Sequence, residues 1–174
     1  MVWRKYAGAT LLEFAVVASV LGILAFVLLD RMSYYQEWAE KANMESTAAT
    51  LKSALRMEFS TLMVEGRMRE GSALARQNPM SWLDIKPTNY LGEFDGVAPD
   101  VPPRGNWYYD RRARELVYRV NQGRYFTPDS RGRREVRFRV ALIYDEKVEN
   151  EGARTSPMAP SGVKLTLVEI YKWF

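Results

Sequence analysis

The feature that most constrains the fold is an uninterrupted apolar segment near the N-terminus. No charged residue occurs between Phe14 and Leu29, and Leu11 to Leu29 offers 19 residues with a single charge. A helix needs about 20 apolar residues to cross a bilayer, so the length fits one crossing. Arg4 and Lys5 precede the segment. The positive-inside rule would keep that end in the cytoplasm and place the following domain outside.

A secretory signal peptide is the alternative explanation of such a segment. Its apolar core would span about 7–15 residues and end at a small-residue cleavage site. Here the run is longer and leads into Asp30–Tyr35, with no Ala-x-Ala ending. We therefore interpret the segment as an anchor that stays attached.

Glu13 is the one charge inside this segment. A carboxylate costs roughly 2.5–3.5 kcal/mol at the membrane centre on insertion scales, and less near the interface. One interpretation is a glutamate that reaches the headgroups. The other is a carboxylate that receives a cation from a second copy of the chain.

The stretch from Gly8 to Ala25 resembles the leader-peptidase site and helix start of type IV pilins and type II secretion pseudopilins. The likeness combines a short basic leader, a glycine, the residues Thr10-Leu11-Leu12-Glu13 and an uncharged run, and it covers about 25 residues. It implies that a prepilin peptidase cleaves between Gly8 and Ala9, and that the amine of Ala9 is a candidate for N-methylation. It also divides the chain into a leader (1–8), a transmembrane and assembly helix (9–29) and a periplasmic head (30–174).

The resemblance further implies roles and partners for these residues. Glu13, with Thr10 beside it, would form the assembly site, where the glutamate neutralises the free amine of an adjacent subunit. The implied partners are other pilin or pseudopilin subunits, the peptidase, an inner-membrane assembly platform and membrane lipid. The implied location is the bacterial inner membrane, followed by the pilus or pseudopilus. Two positions depart from the family pattern, since relatives usually begin the mature chain with Phe or Met rather than Ala9, and many carry proline near Asp30.

The helix is predicted to continue beyond the membrane segment. From Ala9 to about Glu65 there is no proline and only one glycine, Gly22. An apolar stripe at spacings of three and four is typical of a helix that covers a core. The stripe consists of Met44, Ala48, Leu51, Leu55, Phe59 and Leu62. We expect it to pack on a sheet of the same chain.

The second half of the chain predicts that sheet. A short helical stretch over 72–77 and a loop over 80–105 are expected first. Four β-rich runs follow, at 106–110, 115–120, 135–145 and 163–174, and the first two read as a hairpin. The predicted class is α+β, with the long N-terminal helix packed on a small antiparallel sheet of about four strands.

The amino-acid composition limits the kinds of catalytic and metal sites that the head could contain. The chain has no cysteine and no histidine, which excludes Cys/His zinc sites and the Ser-His-Asp and Cys-His nucleophile arrangements. We expect neither an enzyme nor a cofactor. Asp95 and Asp100 lie in the turn-rich stretch and are weak candidates for calcium ligands, since two aspartates in such a stretch usually serve to form turns.

Arginines cluster in the predicted hairpin turn and around the third strand, and their positions are Arg111, Arg112, Arg114, Arg131, Arg133, Arg134, Arg137 and Arg139. Beside aromatic residues they could bind DNA through phosphates and stacking, or they could be solvated turns and a charged sheet edge. The sequence of the predicted hairpin, Trp107–Asp110 and Leu116–Val120, also resembles that of accessory pilin-like proteins of mannose-sensitive haemagglutinin-type pilus systems. The predicted function is a minor pilin or pseudopilin, with a pilin-like surface module for DNA uptake or adhesion as the alternative.

Overall fold

One helix dominates the N-terminal third of the chain. In a computed structural model, which describes residues 10–96, 102–144 and 159–174, helix α1 runs for 54 residues from Leu11 to Val64. The chain comprises two compact units, Met1–Trp38 and Ala39–Phe174. The first unit contains the N-terminal part of α1, and the second contains the rest of α1 and every strand described.

Helix α1 ends in a Schellman motif. Gly66 adopts φ +71°, a left-handed conformation that glycine reaches without a Cβ penalty. The N–H of Gly66 donates to the carbonyl of Met63 at 3.1 Å, and that of Arg67 donates to Leu62 at 2.8 Å. These two bonds satisfy carbonyls that the end of a helix would otherwise leave without partners.

Three short helices follow α1, and seven strands come after them in the described part of the chain. Two 3-10 helices span Met68–Glu70 and Pro79–Trp82, and the four-residue α2 spans Gly71–Leu74. The strands are β1 (Tyr90–Phe94), β2 (Trp107–Asp110), β3 (Glu115–Arg119), β4 (Phe126–Thr127), β5 (Glu135–Ile143), β6 (Gly162–Leu167) and β7 (Lys172–Trp173). Five of them form a sheet in the order β1-β2-β3-β5-β6, and β4 pairs with β7.

The central strands follow the two-residue alternation of a sheet with one core face. In the antiparallel β3–β5 pair, Leu116 lies opposite Phe138, and Tyr118 lies opposite Val136. These four side chains belong to the hydrophobic core. Because neighbouring side chains on a strand point to opposite faces, Arg137 and its alternate neighbours lie on the other face, called here the outer face.

The predicted helical stripe covers the core face of the sheet. Five of its six members are buried in the same cluster as Trp107, Leu116 and Phe138, and Leu62 is partly buried against that cluster. Leu51 and Leu55 are fully buried. The α+β class and the packing of the amphipathic half of α1 on the sheet are confirmed.

Two details of the prediction need correction. The expected loop over 80–105 contains β1, which pairs with β2 in parallel, so the sheet is mixed rather than purely antiparallel. The C-terminal run divides into β6 and β7, and β1 and β4 are additional, so the described residues form seven strands in two sheets rather than about four strands. Gly92, at φ +102°, lies in β1 where its register with β2 shifts.

Candidate functional site

The N-terminal part of α1 exposes an almost wholly apolar surface. Its large apolar side chains between Leu11 and Leu29 are 50 to 87 % exposed. The helix is long and apolar enough to cross a membrane. Burying such a surface in lipid or against other helices is favourable, because each Å² of apolar surface removed from water contributes about 25 cal/mol.

Thr10 caps the start of this helix. Its Oγ1 accepts a hydrogen bond from the N–H of Glu13 at 3.2 Å, and its carbonyl accepts one from Phe14 at 3.0 Å. A threonine followed three residues later by glutamate is the sequence pattern of a capping box. Cleavage between Gly8 and Ala9, which lie outside the described residues, would leave the cap intact.

Glu13 lies in the first turn of α1 and is exposed. A negative charge there interacts favourably with the positive end of the helix dipole. Within residues 10–96, 102–144 and 159–174, no basic side chain forms an ion pair with Glu13. Its carboxylate is therefore available to a cation from outside this part of the chain.

Apart from Glu13, the apolar segment contains almost no polar side chain that would have to enter a membrane. Ser19 is the only polar side chain between Phe14 and Leu29, and its hydroxyl donates to the carbonyl of Ala15 at 2.8 Å. Polar groups within a bilayer must find partners in the protein. Glu13 is thus the one polar side chain of this segment that has no hydrogen-bond or ion-pair partner among the described residues.

Two of the clustered arginines, Arg137 and Arg139, meet two glutamates and Arg119 on the outer face of the sheet. Glu115 accepts hydrogen bonds from Arg137 at 2.9 Å and from Arg139 at 2.5 Å. Glu135 accepts one from Arg137 at 2.6 Å and lies 3.8 Å from Nε of Arg119. We call these five residues the ion-pair ladder.

The two glutamates of the ladder are shielded from water, whereas the side chain of Arg139 is about half exposed. Glu115 and Glu135 are 5 % and 4 % exposed. Burial disfavours the charged form of Arg137, but hydrogen bonds and the charge of Glu135, with Glu115 contributing, outweigh it, so the pKa of Arg137 is raised. Burial, helped by the charge of Glu135, raises the pKa of the neighbouring Tyr108 to about 12. The ladder thus gives a structural role to two of the eight clustered arginines, Arg137 and Arg139.

Of the two aspartates considered for calcium, the structure describes Asp95 alone. Asp95 Oδ2 accepts a hydrogen bond from Arg111 Nη2 at 2.6 Å, and Asp100 lies outside the described residues. In the described part of the chain, no group of three or more Asp, Glu, His or Cys residues could hold a metal ion.

Sequence reasoning missed Glu40, which ties α1 to the turn after β3. Its Oε1 accepts hydrogen bonds from the N–H of Asn121 at 2.6 Å and the hydroxyl of Tyr118 at 2.9 Å, and its Oε2 accepts one from the N–H of Gln122 at 2.6 Å. Burial and then the charge of Glu40 raise the pKa of Tyr118. No local pattern marks Glu40, because its partners lie about 80 residues further along the chain.

Comparison of the chain with protein-family models, with curated proteins and with solved structures gives no match. A function for this protein therefore rests on the residues and geometry described above.

Proposed function

We propose that this chain is a pilin-like structural subunit, a minor pilin or pseudopilin. It is anchored in the bacterial inner membrane by α1, with its N-terminus in the cytoplasm and its head in the periplasm. A prepilin peptidase removes residues 1–8, and the subunit then enters a type IV pilus or type II secretion pseudopilus through its N-terminal helix. Its partners are other subunits of that filament and the inner-membrane assembly platform.

The observation that carries the proposal is Glu13, a carboxylate in the capped first turn of an exposed apolar helix. Helix α1 begins at Leu11, two residues after the proposed new N-terminus at Ala9. A free amine at Ala9 would therefore lie next to the helix end that carries the carboxylate. The same arrangement in a second subunit supplies the cation that Glu13 lacks among the described residues.

Charge neutralisation gives this pair a role in assembly. Removing a single carboxylate or ammonium from water costs several kcal/mol, and bringing the two together offsets much of that cost. The pair forms only when neighbouring helices have the correct axial register. Burial of the apolar residues within Leu11–Leu29 then favours association of the helices in any axial register. The ion pair of Glu13 favours one register over the others.

The head supports the same proposal in a different way. The second half of α1 carries its stripe into the hydrophobic core of the Ala39–Phe174 unit, so this part of the helix is occupied by its own sheet. The N-terminal half has no such cover among the described residues, since every residue from Leu11 to Ser33 is exposed. The second half of the helix therefore packs within the chain, and its first half is available to pack against lipid or other subunits.

The test is a substitution of Glu13 in a host with an active prepilin peptidase and assembly platform. Glu13→Gln keeps the size of the side chain and removes its charge. Incorporation into sheared filaments, measured as the ratio of filament to membrane protein on immunoblots, should fall about ten-fold or more, because breaking a buried ion pair costs roughly 3–5 kcal/mol.

Glu58→Gln is the matched control. Glu58 is exposed on the same helix, so its substitution makes the same change in charge away from the apolar segment. It should assemble like the wild type. Equal incorporation of Glu13→Gln and wild type, with both chains cleaved and folded, would reject the charge-pair mechanism.

A further inference from the structure

A groove on the outer face of the sheet is rich in guanidinium groups. Its volume is about 490 Å³, within the range of about 300–1,000 Å³ that small-molecule sites occupy. The lining residues include five arginines, which are Arg112, Arg131, Arg133, Arg137 and Arg139. The only carboxylates among its lining residues in the described part of the chain are Asp110 and Glu115.

Both carboxylates are already engaged. Glu115 belongs to the ion-pair ladder, where Arg137 and Arg139 donate to it. Asp110 Oδ1 accepts the backbone N–H groups of Arg112 and Ala113 at 2.9 and 3.1 Å. Glu115 is therefore neutralised by guanidinium groups, whereas the backbone bonds of Asp110 leave its negative charge in the groove.

Two arginines of the groove keep an unbalanced charge. Arg112 and Arg131 are exposed, and neither side chain forms an ion pair with another residue of 10–96, 102–144 or 159–174. The stem of Arg112 passes close to Gly96, since an ideal Cβ at that glycine would lie 3.1 Å from Cδ of Arg112.

The floor of the groove also holds more donors than acceptors. Arg137 Nε and the Nε and Nη2 atoms of Arg133 are buried and have no hydrogen-bond acceptor within the described residues. Arg133 Nε lies 3.7 Å from carboxylates of both Asp129 and Glu135, which gives attraction without a hydrogen bond. Buried donors without acceptors are costly, and an oxyanion in the groove adds acceptors beside them.

The balance of charge identifies the class of anion. The five arginines of the groove and Arg119 face four carboxylates, Asp110, Glu115, Asp129 and Glu135, so two positive charges remain in excess. One phosphate monoester matches this excess, because it carries about −1.5 to −2 charges at pH 7 and three acceptor oxygens. A carboxylate supplies one charge only. The planar fork of arginine fits phosphate oxygens with two parallel hydrogen bonds.

We propose that this groove binds a phosphate monoester between Arg112 and Arg131, above the ion-pair ladder. The ladder holds Arg137 and Arg139 in place and so provides a rigid positive floor. The site lies entirely within the Ala39–Phe174 unit and stands apart from the assembly function, so either proposal can fail without the other.

The experiment titrates the full-length chain in a non-ionic detergent with inorganic phosphate, at low ionic strength and pH 7.5, by isothermal titration calorimetry. We expect saturable binding to one site. The double variant Arg112→Gln/Arg131→Gln should bind at least about ten-fold more weakly, because hydrogen bonds to charged groups contribute about 1.5–3 kcal/mol and 1.4 kcal/mol is a factor of ten.

Arg111→Gln is the matched control. Arg111 adjoins Arg112 in the chain, but it pairs with Asp95 at 2.6 Å and is not one of the groove's lining residues. The Arg111→Gln variant should bind inorganic phosphate as tightly as the wild type does. Thermal melts should show that all variants fold. Absence of saturable phosphate binding, or equal loss in Arg111→Gln and the double variant, would overturn the proposal.

Two further titrations identify the source of the phosphate. Glycerol 3-phosphate that binds as tightly as short-chain phosphatidic acid indicates a soluble ester, whereas tighter binding of the lipid indicates a membrane headgroup, and both results support the site. Binding of a mixed-sequence single-stranded oligonucleotide without any binding of inorganic phosphate would overturn it in favour of a nucleic-acid surface.

Discussion

Replacing Glu40 by glutamine tests how the head holds its helix. Glu40 accepts hydrogen bonds from two backbone N–H groups, at Asn121 and Gln122, and from the hydroxyl of Tyr118. A glutamine side chain has nearly the same shape. It offers one carbonyl oxygen and replaces the other oxygen by an NH₂ group, which is a donor.

The expected cost follows from this change of one acceptor into a donor. Whichever way the amide is turned, its NH₂ group meets one of two backbone N–H groups that each lie 2.6 Å from the original oxygens. One hydrogen bond to a charged acceptor is lost, which is worth about 1.5–3 kcal/mol. We expect Glu40→Gln to lower the free energy of unfolding by about 2 kcal/mol and the melting temperature by about 8 °C.

The assay is urea or thermal unfolding of the detergent-solubilised chain, followed by tryptophan fluorescence. Trp107 and Trp173 are buried in the core, so the signal reports on the head. Glu45→Gln is the matched control, because Glu45 accepts a bond only from the hydroxyl of Tyr171 at 2.9 Å, which a glutamine carbonyl can still accept. The control should change stability by less than about 0.5 kcal/mol.

If Glu40→Gln lowers the free energy of unfolding by no more than Glu45→Gln does, Glu40 does not hold α1 to the turn after β3 as described. A loss in Glu40→Gln alone, with an unchanged dependence on denaturant, would support that connection.

Two other predictions concern the core and the outer face. Leu55→Ala, at a fully buried position of the helical stripe, should cost about 2.5–5 kcal/mol of unfolding free energy, whereas Leu11→Ala, at a position 87 % exposed, should leave the melting of the head unchanged. Stability should fall as pH rises from about 10 to 12, because the pKa of folded Tyr108 is raised from 10.0 to about 12 and the unfolded chain releases that proton first. In pH-dependent melts, Tyr108→Phe should show a shallower decline than wild type, and an identical slope would contradict the role of this residue.

The helix and the central strands were predictable because their patterns are local. The stripe from Met44 to Phe59 repeats at the helical period, and its residues are buried together. Likewise Val136, Phe138 and Val140 alternate along β5 and face the core. In each case residues a few positions apart carry the information, so one sequence suffices.

Elements that depend on distant partners were not predictable in the same way. β1 is short, contains Gly92 at positive φ, and becomes a strand by pairing in parallel with β2. β4 and β7 have two residues each, too few to show a period. Their strands exist because the tertiary fold brings their backbones together.

The charged residues show the same division. The arginine cluster was visible in the sequence, but the burial of Glu115 and Glu135 in the ion-pair ladder depends on which strands are neighbours. Without that pairing, the same arginines predict an open basic surface. The proposed site follows from the distinction between paired arginines and the unpaired Arg112 and Arg131, which only the structure makes.

At the other end of the chain, the account of assembly depends on the amino group that cleavage would create at Ala9. The most direct measurement is the mass of the N-terminal peptide after co-expression with an active prepilin peptidase. The account predicts a chain that begins at Ala9, with or without a methyl group on its amine, and an intact Met1 when the peptidase is inactive. A chain that retains residues 1–8 in the presence of active peptidase would contradict it.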